Sequence, residues 1–448
     1  MIPVSNQLIA EVSSNHRRDL ECCFEFIETA PRIGCDAVRF QRSNDKIFAK
    51  RGVDRRRKHW ELVLALLAPA GTARIQTISQ SLCAPINNQL YAERYYMNFA
   101  KALETALSDL TDQDLLYQPT AFWARASDDI AASLLVEGVE SFRSNPDCLR
   151  YFVPNYGPPT SAISNDEQTR LLADFYERNP AAIKARLALD RMLKGHAAAM
   201  ADLRVLQAAD DRQRLPRLDT FSESRGGKPL EQYDINGKRY SRSALNYLLG
   251  LVMLKRYMAR EAASEPVPRT VLEIGGGFGS LGEILSQAQV PDWRYIDIDI
   301  PPTATVAEWY LRQAVGADQT LGYSQTAKVN TLNIDNLPPV TVLMPWQLPL
   351  LQGKIDLFVN FISFQEMEPP VVSNYLRLVS NLAPRWVLLR NLKEGKQRRQ
   401  HPDAVGVDKP ILGDDYEAML PDYRLVERGA MPFGYVTVDG FHSELLLF

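Results

Sequence analysis

The chain has 448 residues, 46% of them hydrophobic and 23% charged, which is ample material for a globular core. Its 51 basic residues against 54 acidic ones give a net charge of -3. A general nucleic-acid binder needs a basic excess to neutralise phosphates, so this balance argues against that class of protein.

The lack of a recognisable targeting signal and the cysteine usage indicate a reducing compartment. The first residues lack the basic and apolar regions of a signal peptide. The longest apolar stretches, 62–70 and 247–254, are about half of the roughly 20 residues that a membrane-spanning helix needs. The five cysteines show no CxxC spacing, which argues against a disulfide framework or a zinc site. We therefore predict a cytoplasmic protein without a membrane span.

Residues 1–50 are predicted to form a strand–helix–strand fragment. Short runs that favour strands occupy 8–12 and 36–41, and Asp19 is a suitable N-cap for a helix between them. A basic cluster follows at 50–58. We interpret this cluster as a solvated linker or helix face, and alternatively as a patch for an anionic lipid or saccharide.

Residues 60–260 are predicted to be largely helical. Apolar residues recur at three-and-four spacing in four stretches, at 61–68, 89–107, 127–142 and 243–260. Breaks rich in proline fall between these stretches, at 118–120, 152–160 and 214–218. The pattern is that of a helical region that covers or extends another domain.

Residues 266–448 have a different pattern, in which short strand-like runs alternate with helical stretches. The runs cover 270–274, 293–299, 354–362 and 385–391. Such alternation predicts an α/β fold with a mostly parallel sheet covered on both faces. The last runs, 424–429, 435–439 and 443–448, are predicted to be edge strands, and the last of them to run antiparallel.

The most informative segment of the chain is a glycine-rich loop after the first of these strands. Glycines stand at 275, 276, 277 and 279, between the hydrophobic run 270–274 and a helix that begins near Ser280. Glycines permit a tight turn and let a ligand approach the backbone closely. The segment also satisfies GxGxxG through Gly277, Gly279 and Gly282, which is a weak signal by itself.

Two carboxylates decide which cofactor suits this loop. Glu273 precedes the glycines and would repel the pyrophosphate of a dinucleotide, whereas S-adenosylmethionine carries an ammonium and a sulfonium. Asp299 ends the second strand, twenty residues after Gly279, where a carboxylate can accept both ribose hydroxyls. Asp297 lies on the same strand face, and we prefer Asp299 because it is nearer the C-terminal end.

These motifs, VLEIGGGFG, YIDIDIPP and KIDLFVNFISFQEM, resemble the class I S-adenosylmethionine-dependent methyltransferases, whose sheet is Rossmann-like. Upstream segments resemble a sugar O-methyltransferase family found in bacterial surface-polysaccharide clusters; they are YQPTAFW, GVESFRS, YFVPNYG and NGKRYSRSALNYL. The resemblance implies that S-adenosylmethionine is the cofactor. It also implies that a sugar hydroxyl in surface-glycan biosynthesis is the methyl acceptor.

The opening residues resemble a different family. IAEVSSNHRRDL and GCDAVRFQ are similar to the start of the sialic-acid (N-acetylneuraminate) synthases, with Arg39 where those enzymes usually have lysine. The similarity ends near residue 48, whereas a (β/α)₈ barrel needs about 250 residues. We therefore interpret residues 1–50 as a remnant or docking appendage.

A sugar hydroxyl is a poor nucleophile, so methyl transfer to it calls for a general base. Histidine is the natural candidate near neutral pH. His442 precedes the last strand and His401 lies in the segment after the fifth strand, so either can reach the ligand face. Glu366, after the fourth strand, is a third candidate base or a helix cap.

Two further residues are candidate contacts for the cofactor. Asn360 can hydrogen-bond cofactor or sugar, and Arg242 can pair with the methionine carboxylate or be a surface arginine. No motif typical of a metal site is present. Two alternatives remain open: a non-catalytic scaffold protein of a glycan-synthesis cluster, and an NAD(P)-dependent sugar-modifying enzyme. The oligomeric state is not predicted.

Overall fold

A computed structural model describes residues 9–12, 37–42, 45–50, 99–152, 174–175, 177–178, 195–401, 406–437 and 440–448. The chain divides into two compact units, Met1–Gln89 and Leu90–Phe448. The helix predicted near Asp19, residues 51–58 of the basic cluster and the helix predicted at 61–68 lie outside the described residues. Among those residues, no helix is long and apolar enough to cross a membrane.

The first unit contains a three-stranded sheet. Its strands are β1 (Ile9–Val12), β2 (Ala37–Arg42) and β3 (Asp45–Lys50). β1 and β2 are parallel, as the predicted strand–helix–strand fragment requires, and β3 runs antiparallel to β2. β3 was not predicted from the sequence, because its alternating charged residues do not form a continuous β-branched run.

The second unit begins with helices and a hairpin. The helices are α1 (99–110), α2 (Ala121–Glu137), α3 (Pro146–Phe152), α4 (His196–Ala209) and α5 (Arg242–Glu261). The hairpin strands β4 (Gln232–Ile235) and β5 (Lys238–Ser241) precede α5. Asn236 and Gly237 both have positive φ angles in the turn, as a type I′ turn requires. The serine before α5, Ser241, caps it by accepting from Ala244 N–H at 3.0 Å.

The rest of the unit alternates strands and helices. The strands are β6 (Thr270–Ile274), β7 (Arg294–Ile298), β8 (Thr320–Leu321), β9 (Leu332–Asn333), β10 (Val340–Leu343), β11 (Leu351–Gln352), β12 (Leu357–Phe361), β13 (Trp386–Leu392), β14 (Glu427–Gly429), β15 (Tyr435–Val436) and β16 (His442–Leu447). The helices are α6 (Ser280–Gln287), α7 (Pro301–Ala314), α8 (Tyr323–Thr326), α9 (Pro369–Ser380) and α10 (Asp415–Met419).

The main sheet has the order β14-β16-β13-β12-β6-β7-β10-β8, with β15 paired to β16. The six strands β13, β12, β6, β7, β10 and β8 are parallel to their neighbours in this sheet. β16 runs antiparallel to β13. The predicted α/β fold, with a mostly parallel sheet and an antiparallel last strand, is confirmed. The chain moves outward from β6 through β7 to β10 and then returns to the other side of β6 at β12. Ligands of such sheets bind at this reversal, beyond the carboxyl ends of the strands.

Successive residues of each central strand enter opposite cores. In β6, Val271 joins the core formed with α5, α6, α7 and the helices of 99–152. Its neighbour Leu272 joins the core formed with α9. Because both faces are covered, the strands are mostly apolar, and their buried carboxyl and amide groups lie near the carboxyl ends. The functional groups therefore concentrate at the edge where β6 and β12 end.

Candidate functional site

The glycine loop connects β6 to α6 at the reversal point of the sheet. Gly275 N–H donates to the Ile298 carbonyl at 2.8 Å, which fixes the loop to the end of β7. A Cβ at Gly276 would lie 2.4 Å from an Asp297 carboxyl oxygen, so only glycine fits there. Gly277 differs, because its φ is +64° and no heavy atom lies within 4 Å of an added Cβ. The loop thus presents open space at Gly277. Gly279, also at positive φ, is the N-cap of α6.

Asp299 lies directly against this open part of the loop. One carboxyl oxygen accepts from Gly277 N–H at 3.0 Å, and the other accepts from Ile300 N–H at 2.8 Å. The side chain is half-buried, and loss of water around it raises its pKa to about 7. The charge of Glu366 adds to the rise, which places that residue close enough to act on Asp299. The structure therefore brings together the predicted Asp299, Gly277 and Glu366.

Glu273 lies beneath the loop rather than in the open space. It is fully buried, and its carboxyl oxygens accept from Tyr247 hydroxyl at 2.7 Å and Tyr295 hydroxyl at 2.6 Å. Burial raises the pKa of Glu273 to about 8, although both tyrosine hydrogen bonds oppose the rise. Tyr247 also stacks on Phe361 at 4.9 Å between ring centroids. Glu273 therefore links α5, β7 and β12 beneath the loop.

A second buried carboxyl stands beside Glu273. Asp297 is its cross-strand neighbour and is fully buried. Within the described residues neither Asp297 oxygen has a well-formed hydrogen bond, although Gly276 and Ile298 N–H groups approach it. Burial, followed by repulsion from Glu273, raises the pKa of Asp297 well above its usual range. Burial therefore favours the neutral form of both carboxyls, and a cation brought to the loop would favour their ionised form.

These carboxyls predict that the free protein loses stability as the pH rises. A folded-state pKa above the unfolded value means that the folded chain binds more protons between the two values, so stability falls across that window. Glu273, at about 8, and Glu283, at about 7, give a window from about pH 4.5 to about pH 8. Urea denaturation at pH 5.5, 7 and 8.5 should show a falling free energy of unfolding. Glu273→Gln should flatten this trend, and a flat or rising profile for wild type contradicts the account.

The loop after β12 is held by Asn360 and Glu366. Asn360 is fully buried, and its amide donates to the Ile274 carbonyl at 2.8 Å. Its oxygen accepts from Phe364 N–H and from Asn391 at 3.1 Å each. Asn360 therefore connects the ends of β6, β12 and β13. It lies beneath the surface of the site and positions the loop.

Glu366 connects this loop to the helical segment 99–152, which we call the cover. Its carboxylate accepts from Trp123 Nε1 at 3.0 Å and from Lys396 Nζ at 2.8 Å. Thr120 hydroxyl donates to its carbonyl at 2.9 Å, and Lys396 Nζ lies 4.6 Å from the ring centroid of Phe122. Both carboxylate oxygens of Glu366 are hydrogen-bonded, and the residue is only 7% exposed. These contacts suit a residue that holds the cover in place better than they suit a free base.

A buried ionic network joins the cover to α6. Arg143 is fully buried; it donates through Nη2 to Glu223 at 3.0 Å and through Nε to Glu231 at 2.7 Å. Its guanidinium carbon lies 4.6 Å from the ring centroid of Phe278, which belongs to the glycine loop. Glu283 of α6 is also part of this environment, and burial raises its pKa to about 7. The network positions Phe278 and hence the loop.

Arg242 is the first residue of α5. It is 6% exposed, and its Nε lies 2.6 Å from an Asp202 carboxylate oxygen in α4. It is therefore not the surface arginine that the sequence left open. Among the described residues, no hydrogen bond or ion pair joins Arg242 to Asp299. It lies instead beside Arg390, because both arginines act on the pKa of Asp202.

The two candidate histidines lie in different environments. His442 is the first residue of β16, and its Nδ1 lies 2.7 Å from Glu394 Oε1. Its backbone N–H donates to the other Glu394 oxygen at 2.8 Å. The side chain is 46% exposed. His401 is exposed, outside any helix or strand, and beside residues that are not described. Only His442 is held by a carboxylate at the ligand edge in the described structure.

Sequence reasoning missed Tyr247, Tyr295, Glu394 and Lys396. The tyrosines stand in the segments ALNYL and WRYIDID, whose patterns indicate only a helix and a strand. Their pairing with Glu273 depends on contacts 26 and 22 residues distant. Trp123 was within a quoted motif, YQPTAFW, but its partner Glu366 is 243 residues away. Nothing local identifies such partners.

Two surface cavities of the second unit lie away from the glycine loop. One of about 300 Å³ is lined by residues of α4 and α5, and another of about 300 Å³ lies between α4 and the hairpin. Within the described ranges, no three histidine, cysteine or acidic residues are grouped so as to hold a metal ion. The site is therefore assigned from the loop and its carboxyls.

Solved structures similar to this chain include several methyltransferases. A SAM-dependent methyltransferase from Aquifex aeolicus is 16% identical, with 40% of this chain and 81% of that chain covered and a TM-score of 0.25. The O-methyltransferase TomG from Streptomyces achromogenes, solved with SAM, is 19% identical (45% and 78% covered, TM-score 0.27). Magnesium protoporphyrin IX methyltransferase (ChlM) from Synechocystis PCC 6803, solved with SAH, is 15% identical (46% and 83% covered, TM-score 0.30).

These identities and scores are low, so the fold assignment rests on the strand order itself. No protein-family model matches the chain. No curated protein sequence matches it. The resemblance of residues 1–50 to sialic-acid synthases stays a prediction.

Proposed function

We propose that this protein is an S-adenosylmethionine-dependent O-methyltransferase that methylates a sugar hydroxyl. The observation that carries the proposal is the open space at Gly277, bordered by Asp299 at the reversal point of the sheet. The sugar acceptor, and a cytoplasmic role in bacterial surface-glycan biosynthesis, rest on the sequence resemblance of residues 117–123, 138–144, 151–157 and 236–248. Methyl transfer itself rests on the loop.

The residues around the loop fit this cofactor better than a dinucleotide. Three carboxyls, Glu273, Asp297 and Asp299, lie at the ends of β6 and β7. An ammonium and a sulfonium are stabilised in such a place, and a pyrophosphate is repelled. Asp299 would hold the ribose hydroxyls, because its carboxylate already reaches the open space at Gly277. Gly275 and Gly276 let the loop lie close to the segment after β12 and to β7, since a Cβ on them would meet Ser363 and Asp297 respectively.

When bound, the cofactor supplies a methyl group activated by its positive sulfur. The chain's own residues must align the acceptor oxygen and remove its proton. We assign the second task to His442, since Glu394 engages its Nδ1 and leaves Nε2 for the acceptor hydroxyl. The carboxylate also stabilises the imidazolium that forms. Trp123, Glu366 and Lys396 close the cover over the edge and limit access of water.

We expect His442→Ala to lower kcat for methyl transfer by about 10²–10⁴-fold, as the loss of a general base does. Glu394→Gln should cause a smaller loss, because the imidazole keeps its ring but loses the carboxylate that orients it. Initial rates with tritiated S-adenosylmethionine between pH 5.5 and 9 measure both effects. His401→Ala is the matched variant, since the sequence left it open as the base. A large loss with His401→Ala and none with His442→Ala would reverse the assignment.

Transfer of label from S-adenosylmethionine to a panel of monosaccharides and nucleotide sugars tests the activity as a whole. Product carrying one methyl ether on a sugar oxygen supports the proposal and excludes a non-catalytic scaffold. Label found only on non-sugar acceptors would refute the sugar assignment while leaving methyl transfer intact. Protection by NAD(P) but not by S-adenosylhomocysteine in thermal unfolding would favour the sugar-modifying oxidoreductase.

A further inference from the structure

A short turn after β13, residues 392–396, carries two charged side chains that hold different parts of the site. Glu394 holds the proposed base, and Lys396 holds the loop after β12. Gly395 stands between them, with a φ of +75° and its N–H donated to a carbonyl of the same turn at 3.0 Å. A Cβ on Gly395 would lie 2.8 Å from the Ile411 carbonyl oxygen. The backbone between Glu394 and Lys396 is therefore closely confined.

The Glu394 side of this turn lies at the carboxyl edge of the sheet. β16 pairs with β13 so that Ser443 is opposite Leu392, the last residue of β13. His442 therefore begins β16 at the same edge at which β12 and β6 end. The side chains of His442 and Glu394 are 46% and 37% exposed. Among the described residues, no other side chain forms a hydrogen bond with the imidazole, so its orientation depends on the turn.

The Lys396 side of the turn is joined to the cover. Lys396 Nζ donates to Glu366 at 2.8 Å and lies 4.6 Å from the ring centroid of Phe122 in α2. The other Glu366 oxygen accepts from Trp123 Nε1 at 3.0 Å. The side chains of Lys396 and Glu366 are only 22% and 9% exposed, so salt screens this ion pair less than an exposed one. Lys396 therefore connects the turn to α2 through a shielded contact.

The cover is attached on both sides of the glycine loop. Tyr323, which follows β8, donates its hydroxyl to Asp109 at 2.7 Å. Trp123 is attached to Glu366, which follows β12. In the sheet, β10, β7 and β6 lie between β8 and β12. The part of the cover between Asp109 and Trp123 is therefore held on both flanks of the edge where the cofactor and the acceptor are proposed to bind.

We propose that Lys396 is a positioning residue that couples closure of the cover over bound ligands to the placement of His442. The inference rests on the proposed function, in which His442 is the base. In the closed cover Trp123 holds Glu366, which in turn holds Lys396. The confined turn then places Glu394 against the imidazole. When the cover opens to admit ligands, this chain of contacts breaks at Trp123. The acceptor hydroxyl is thus deprotonated only in a site from which water is excluded.

Methyl-transfer kinetics of the full chain test this coupling. Lys396→Met keeps the aliphatic stem and removes the ammonium, and we expect it to lower kcat by about 10–100-fold, as a misplaced catalytic group does. KM for the acceptor and for S-adenosylmethionine should stay within about threefold, because ligand binding itself is not changed. Lys396→Arg keeps the cation and should restore most of the rate. Lys393→Met is the matched control, since it makes the same change to an exposed side chain of the same turn. An unchanged kcat in Lys396→Met, or an equal loss in Lys393→Met, overturns the proposal.

The ring signals of isotopically labelled histidine give a second readout, which does not depend on turnover. The chain has five histidines, and His442→Ala assigns the signal of His442. We expect this signal to shift in Lys396→Met and in Trp123→Phe, which removes the indole donor from the cover, but not in Lys393→Met. A His442 signal that neither variant moves overturns the coupling, whatever the activity. Shifts in both variants without any methyl transfer by wild type would refute only the proposed function.

Discussion

Replacing Arg143 with alanine is expected to lower the free energy of unfolding by about 3–5 kcal/mol, as the loss of one partner of a buried ion pair does. The side chain is fully buried, so its removal leaves Glu223 and Glu231 without their cation and opens a cavity beside Phe278. Urea denaturation followed by tryptophan fluorescence measures the change. Since Phe278 belongs to the glycine loop, the variant should also bind S-adenosylhomocysteine more weakly.

The matched control is Arg225→Ala. Arg225 has a side chain that is 71% exposed, and it lies 3.7 Å from an equally exposed Asp234. Such a pair contributes about 0–1 kcal/mol, so the change should be near zero. Adding Glu223→Gln and Glu231→Gln to Arg143→Met should recover part of the lost stability, because no buried charge is then left unpaired. A loss of less than about 1 kcal/mol for Arg143→Ala would show that the network does not stabilise the fold.

Gly277→Asp is expected to weaken binding of S-adenosylhomocysteine by about 100-fold or more, because the new carboxylate occupies the ligand space and stays unpaired there. The fold should survive this change. No heavy atom lies within 4 Å of a Cβ at this position. A positive φ costs a non-glycine residue about 1–2 kcal/mol, and aspartate tolerates it better than most residues.

Gly237→Asp is the matched control for this variant. Gly237 also has a positive φ, +78°, and open space at its Cβ, but it lies in the turn between β4 and β5. The two substitutions should therefore cost similar stability while only Gly277→Asp removes binding. Equal binding by both variants would place the ligand away from the glycine loop.

Much of the sheet was predictable from sequence because its strands are short, apolar and bounded by helical segments. The run 270–274 matches β6, and the helix predicted at 243–260 matches α5 to within one residue at each end. Residues buried on both faces must be apolar throughout, so the pattern of a central parallel strand is visible without its partners. The glycine loop was visible for the same local reason, since its turn needs glycine.

The partners of the site residues could not be predicted because they are distant along the chain. Glu273 was expected to face the cofactor, but the two tyrosines that enclose it come from α5 and β7. Asn360 was expected to contact a ligand, yet it bonds to the Ile274 carbonyl 86 residues earlier. The β4–β5 hairpin shows the opposite case, because its turn residues Asn236 and Gly237 are adjacent in the sequence and form a local signal.

Calorimetric titration of the full-length chain with S-adenosylhomocysteine, with NAD as the comparison ligand, tests the central claim most directly. The account predicts saturable one-to-one binding of S-adenosylhomocysteine, lost in Gly277→Asp and kept in Gly237→Asp, and no binding of NAD at the same concentrations. Binding of NAD in preference, or no heat of binding with S-adenosylhomocysteine while the chain is folded, would contradict it.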